Sequence, residues 1–309
     1  MNNCVIFSGT ANIPLAKKIA DYMGKSLGEI EITRFTDGEI SIKIEENIRG
    51  KDVFIIQPTC PPVNENLMEL LVILDALRRA SPRRITSVIP YYGYARQDRK
   101  DKPRVPITAK LVANLLVAAG TQRILTMDLH APQIQGFFDI PVDHLFAAPV
   151  IVEYLKNKNF KNLVFVAPDV GSVKTARSFA KRMEAPLAIV DKRRDNPEKV
   201  EAIHLIGEVK NKESIIVDDL ISTGSTIVEA AKVLYENGAS KIISTCTHGV
   251  FSSNSLTKLE NSHISQLIVT DTIYHTQLSS QIEILSVSQL LGEAIKRIHM
   301  ETSVSSLFI

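Results

Sequence analysis

Short apolar runs with no polar face recur along this chain, each followed by an amphipathic stretch. Val5–Ser8, Val53–Gln57, Ile85–Pro90 and Arg123–Met127 are such runs in the first half. Leu163–Ala167, Leu187–Val190, Ile203–Ile206, Ser214–Val217, Lys241–Thr245 and Gln266–Val269 read as strands in the second. Runs of this kind are expected of parallel strands buried on both faces. Between them, Asn12 precedes a helix with Pro14 in its first turn and Leu15, Ile19 and Met23 on one face. Asn64–Ala80 lines up Leu67, Leu70, Leu71, Leu74 and Leu77, and Pro106–Ala119, Val150–Lys156, Ser172–Met183 and Ser288–Met300 read as further helices. Ile30–Arg34 and Ile40–Ile44 alternate instead, so Asp37-Gly38 between them reads as a hairpin turn. Strand-helix alternation throughout predicts an α/β fold of mostly parallel sheets flanked by helices. The pattern restarts near Phe146–Pro149, which places one domain at 1–147 and a second at 148–300.

Composition narrows the classes. The 309 residues suit two α/β domains, and 45% hydrophobic with 23% charged residues is ordinary for a soluble protein. A net charge of +2 argues against bulk nucleic-acid binding. Cys4, Cys60 and Cys246 are far apart, which suggests free buried thiols in a reducing compartment. No apolar run approaches the ~20 residues of a membrane span. The first residues start directly on a strand with no basic region before it, so a cytoplasmic location is expected.

Candidate chemistry gathers at strand ends, where parallel sheets bind ligands. The run Ile215-Ile216-Val217 ends in Asp218 and Asp219, then a small turn, Ser222-Thr223-Gly224-Ser225-Thr226, opens a helix. Free amides, hydroxyls and a helix dipole suit a phosphate there, and the acid pair suits sugar hydroxyls or a hydrated cation. The plainer reading is a helix whose Ser and Thr cap its own amides. After Ile85–Pro90 comes Tyr91-Tyr92-Gly93-Tyr94-Ala95-Arg96-Gln97-Asp98-Arg99-Lys100, and Arg96, Arg99, Lys100, Lys102 and Arg104 repel one another unless an anion is present. Arginine forks suit phosphates, and Tyr or Arg faces suit a stacked purine. His130 follows the strand-end acid Asp128 by two residues. The segment Asp191–Lys199 is polar, contains Pro197 and has the makeup of a lid. No GxGxxG occurs, and Gly24-Lys25-Ser26 has Ile19 where a P-loop needs glycine.

Taken together, Ser222–Thr226, Phe35–Glu39, Pro90–Lys100, Asp128–Phe138 and Lys192–Arg194 resemble the ribose-phosphate pyrophosphokinase family. The resemblance implies two phosphoribosyltransferase-like domains, with the tail 301–309 folding back on the first. It implies transfer of pyrophosphate from ATP to ribose 5-phosphate for nucleotide biosynthesis. ATP would be bound by Arg96, Gln97 and Arg99 and by Phe35, Asp37, Gly38 and Glu39 reaching a neighbouring subunit, with Gln133, Gln135 and Phe138 in support. Mg2+ would be held by His130 and Asp169. Ribose 5-phosphate would be bound by Asp218, Asp219, Ser222, Thr223, Gly224, Ser225, Thr226 and Arg194, with Lys192 and Arg194 catalytic. A homo-hexamer, phosphate and ADP as effectors, and no nucleic-acid or membrane partner complete the expectation. The alternatives on the same scaffold are a non-catalytic synthetase-associated subunit and a phosphoribosyltransferase. Ser172 stands where the family usually has glycine, Thr175 replaces an arginine, Ser222 an aspartate and Val105 an acid; Asn47 stands where serine is common.

Overall fold

A computed structural model of the chain describes residues 3–193, 202–252 and 254–308. By contacts the chain divides into one unit of Met1–Phe146, Thr272–Tyr274 and Ser286–Ile309, and a second of Ala147–Asp271 and His275–Leu285.

In the first unit, strands β1 (Cys4–Ser8), β4 (Asp52–Ile56), β5 (Arg84–Ile89), β6 (Arg123–Met127) and β7 (Val142–Leu145) form a five-stranded sheet in that order. Every pairing is parallel. Strands β2 (Ile30–Arg34) and β3 (Ile40–Ile44) make the expected antiparallel hairpin, and Asn12 caps α1 (Ile13–Tyr22) through its Oδ1, 3.1 Å from the Leu15 amide. On one sheet face Val5, Phe7, Val53, Ile55, Ile85 and Ile89 share a core with α2 (Val63–Arg79) and α3 (Thr108–Ala119). The alternate residues Ile6, Phe54, Ile56 and Val88 are equally buried, as the period of two requires of a sheet covered on both faces.

The second unit holds helices α4 (Ala148–Lys156), α5 (Val173–Arg182), α6 (Ser225–Glu236) and the short α7 (Ser255–Glu260). Its strands are β8 (Leu163–Ala167), β9 (Leu187–Arg193), β10 (Ala202–Ile206), β11 (Glu213–Ile221), β12 (Lys241–Gly249), β13 (Gln266–Thr270) and β14 (Ile282–Leu285). They form one sheet in the order β10-β9-β8-β11-β12-β13-β14, parallel except for β10 against β9. Val164, Val166, Ile216, Ile242 and Val269 pack with Ile227, Ala230 and Leu234 of α6, while Phe165 meets Phe179 of α5 at 6.0 Å between ring centroids.

Four features differ from expectation. The last helix, α8 (Ser288–His299), belongs to the first unit and not the second, because its buried face packs on α1. Strand β11, expected to end at Asp218 and Asp219, runs on to Ile221, so both acids lie within the strand. Strand β9 likewise takes in Asp191, Lys192 and Arg193, which the lid reading assigned to a loop. Strand β7 was not expected because Asp143 and His144 interrupt its apolar pattern; both are buried, and Asp143 accepts from Arg123 Nη1 at 2.7 Å.

The end of α8 is held at the first sheet by a buried charge cluster. Asp52 opens β4 at 2% exposure and accepts two bonds from Arg84, at 2.9 Å from Nε and 2.5 Å from Nη2. His299 Nδ1 lies 2.9 Å from the same carboxylate, and Arg84 also donates to the Ile298 carbonyl at 3.0 Å. Removing one member of a buried pair leaves the other charge uncompensated. Asp52→Ala is therefore expected to lower the unfolding free energy by about 3 kcal/mol in urea titrations followed by circular dichroism. Arg83→Ala, which breaks the exposed pair with Glu301, is expected to change it by less than about 1 kcal/mol.

Candidate active site

Strands β5 and β6 of the first unit end side by side, and the segments that follow them enclose a cavity of about 520 Å3. Arg96, Gln97, Asp98 and Arg99 line it from one segment and His130, Pro132 and Gln133 from the other. Their separation in sequence is closed by packing. The Tyr92 ring, 2% exposed, meets Phe138 edge-on at 6.1 Å, and its hydroxyl donates to the Ala109 carbonyl at 3.1 Å. Tyr92 is thus a tether within the core and not a face for a stacked purine; burial pushes its phenol far above the ordinary value. Gly93 must be glycine, because a Cβ there would lie 2.4 Å from the Thr59 carbonyl oxygen. Gln133 Nε2 donates to Asp98 Oδ2 at 2.7 Å and joins the two walls, while Thr108 Oγ1 donates to Gln97 Oε1 at 2.6 Å. Gln135 contacts His144 instead, and Phe138 is core. Val105 lines the cavity as an apolar wall where the resemblance expected an acid.

Phe35, Asp37, Gly38 and Glu39 do not line that cavity. They form the exposed tip of the β2–β3 hairpin, where Phe35 is 60% exposed and Asp37 Oδ1 accepts from the Glu39 amide at 3.2 Å.

In the second unit the acids follow from strand lengths. Pairing of β11 with β8 stops at Ile216, opposite Val166, whereas pairing with β12 continues to Ile221. Asp218 and Asp219 therefore lie on a strand extension that β8 no longer flanks, beside the segment carrying Asp169 and Ser172. Ser172 Oγ is 2.8 Å from Asp218 Oδ1 and 3.1 Å from Asp169 Oδ1, and its amide donates to Asp169 Oδ1 at 3.0 Å. Gly224 adopts a left-handed φ of 74° and opens α6, and no side chain caps the first amides of that helix. The N-cap is thus a glycine and not a Ser or Thr, and an uncapped helix start of this kind presents its amides outwards.

Residues that sequence reasoning missed support this turn from behind. Ser252 Oγ lies 2.9 Å from Ser222 Oγ, and the amides of Phe251 and Ser252 donate to the carbonyls of Ile221 and Ser222, each at 3.1 Å. His275 Nε2 donates to the Gly249 carbonyl at 2.7 Å and its ring meets Phe251 at 5.1 Å; burial lowers its pKa. No local pattern marks Ser252 or His275, since each acts 26 or more residues away in sequence. Lys192 lies on β9 opposite Ile203 of β10, and Arg194 lies outside the described residues. Among the described residues no three His, Cys, Asp or Glu side chains gather as a metal site.

Comparison with known proteins gives these cavities a context. Residues 4–120 match the N-terminal domain of ribose phosphate pyrophosphokinase, and residues 194–309 match the phosphoribosyl synthetase-associated domain. A ribose-phosphate pyrophosphokinase of Thermotoga maritima is 54% identical over 99% of this chain and 98% of its own length. One from Campylobacter jejuni is 52% identical over the whole of both chains. This chain belongs to the ribose-phosphate pyrophosphokinase family. The crystal structure of a phosphoribosylpyrophosphate synthetase from Mycobacterium smegmatis, 38% identical, agrees at a TM-score of 0.92 over 97% of this chain and 99% of that one. Membership makes the fold that of a pyrophosphokinase, with two α/β units.

Within this pyrophosphokinase fold Asp218 is electrostatically unusual. Its carboxyl is pushed up to about 8, by burial first and then by the charge of Asp219, against the opposing bond from Ser172. The same acids, after burial, raise the neighbouring Cys246 thiol. A free carboxyl ionises near 4. The folded, ligand-free protein thus keeps a proton that the unfolded chain releases, so this contribution to stability is full below about 4 and is lost as the pH rises through about 8. The melting temperature of the ligand-free protein is expected to fall between about pH 5 and pH 8, and Asp218→Asn to flatten that fall in a fluorimetric melting series.

Proposed function

We propose that this chain transfers the pyrophosphoryl group of ATP to the 1-hydroxyl of ribose 5-phosphate, giving 5-phosphoribosyl 1-pyrophosphate and AMP for nucleotide biosynthesis. The observation that carries the reading is the cavity where Arg96, Arg99 and His130 stand beside Gln97, Asp98 and Asp101, in a chain that also holds an acid pair and a small hydroxyl-rich turn opening α6. A phosphoribosyltransferase, which only consumes the product, needs the second feature and has no use for the first.

The 1-hydroxyl oxygen attacks the β-phosphorus, the bond from that phosphorus to the α,β-bridging oxygen breaks, AMP leaves with that oxygen, and the hydroxyl proton is released. Arg96, Gln97 and Arg99 hold the nucleotide, and Phe35, Asp37, Gly38 and Glu39 extend towards the nucleotide of a neighbouring subunit in a homo-hexamer. Asp218 and Asp219 accept from the ribose hydroxyls, and Ser222, Thr223, Gly224, Ser225 and Thr226 take the 5-phosphate with Arg194. Mg2+ is assigned to His130 and Asp169. Asp169 offers the carboxylate oxygen that Mg2+ prefers, and an ion carried largely by substrate would draw its remaining ligands from phosphate oxygens and water. When bound it neutralises charge on the transferred diphosphate. Lys192 and Arg194 stabilise the charge that builds as AMP departs.

Phosphate activation and ADP inhibition belong to the same proposal. Asn47, where serine is common, has its Oδ1 occupied by the Arg49 amide at 3.0 Å, so phosphate dependence is to be measured. No described helix is long and apolar enough to cross a membrane, which accords with a cytoplasmic enzyme.

Incubation with ATP, ribose 5-phosphate and Mg2+, with and without phosphate, is expected to give AMP and 5-phosphoribosyl 1-pyrophosphate in equal amounts. ATP binding without product would support the non-catalytic subunit instead. Lys192→Ala is expected to cut turnover by two to three orders of magnitude, about 3–4 kcal/mol of barrier, with unchanged melting; near-normal turnover would remove Lys192 from the mechanism.

A further inference from the structure

Ser172 stands between two acids that the reading above gives to different ligands. It is 8% exposed at the start of α5, with Oγ within 3.1 Å of one oxygen on each acid. A turn that caps its own helix accounts for the amide and hydroxyl contacts with Asp169, three residues back. It does not account for the shorter contact with Asp218, which comes from β11, 46 residues away. The hydroxyl carries a single proton and can donate it to only one carboxylate at a time. Whatever engages one acid therefore changes which way that proton points, and so changes the hydrogen bonding of the other. Asp218 Oδ1 also accepts from the Asp219 amide at 3.0 Å, so the Ser172 bond completes the hold on an oxygen whose direction sets where the carboxylate faces.

We propose that Ser172 is a positioning residue that couples the divalent cation at Asp169 to the ribose hydroxyls at Asp218. With a cation on Asp169, that carboxylate is a weaker acceptor, and the Ser172 proton turns wholly to Asp218, which is then held in the orientation that accepts from the sugar. By linkage the effect is reciprocal: the sugar phosphate tightens the cation by the factor by which the cation tightens the sugar phosphate. This rests on the assignment of Asp169 and Asp218 made above. The backbone bond to Asp169 does not need the side chain, so a glycine, which the family resemblance led one to expect at 172, would keep the turn and lose the link.

The test needs no turnover. The dissociation constant of ribose 5-phosphate is measured calorimetrically without ATP, with and without saturating Mn2+, and Mn2+ affinity is measured by electron paramagnetic resonance with and without ribose 5-phosphate. The full chain is used as wild type, Ser172→Ala and Ser172→Gly. The wild type is expected to show mutual tightening of about tenfold, and both variants a factor within about twofold of unity. An unchanged factor in the variants, or an equal loss of sugar-phosphate affinity with and without Mn2+, would reduce Ser172 to a structural residue and overturn the proposal. If Ser172→Ala does not fold, Ser172→Gly decides. A wild type that binds both ligands independently also overturns the coupling, whereas one that binds neither overturns the assignment of the acids.

Discussion

Beyond Ile216, strand β11 has a hydrogen-bonded neighbour on one side only. That single mismatch in strand length decides most of what the second unit can do. A central strand of a parallel sheet is sealed by both neighbours, and a carboxylate there has no place to go. Because β8 stops short, Asp218 and Asp219 keep the rigidity of a strand while one edge stays open to a ligand. The cost appears in Asp218, whose burial beside another acid raises its pKa until a proton or a ligand compensates it.

The first unit solves its problem differently. Its cavity walls come from two segments more than 30 residues apart, and apolar contact brings them together before any charge is considered. Tyr92 on Phe138 sets the spacing, and Gln133 on Asp98 then closes the polar seam. Arg96 and Arg99 can repel each other because the segment that carries them is anchored by Tyr92, by Gly93 and by the capping contact of Gln97 with Thr108. The basic cluster is tolerated by this core packing and by Asp98 and Asp101 in the same wall.

Two departures from the family pattern meet polar neighbours. Ser222 shares its hydroxyl with Ser252, so the turn keeps a polar partner where an aspartate is usual. Val105 turns one side of the cavity apolar. Ser172 adds a hydroxyl where glycine would leave a gap between two acids. Identity above 50% across the full length of named pyrophosphokinases sets these as variations within one enzyme plan.

Much of this protein was legible in one dimension. Continuous apolar runs announced buried parallel strands, the Asn12 cap and the Asp37-Gly38 turn were local chemistry, and the Ser222–Thr226 turn was marked by its own residues. These signals survive because each depends on neighbours within a few positions. What the chain order could not carry was where strands end relative to one another. The extension of β11 past β8, the return of α8 to the first unit through Asp52 and Arg84, and β7 with its buried Asp143 and His144 depend on partners far off in sequence. So do Ser252 and His275 behind the Ser222–Thr226 turn, and the contact of Ser172 with Asp218. Local sequence determined which elements form and which chemistry they carry; the tertiary structure alone decided which side chains face each other, because that is settled by packing over long separations and not by propensity.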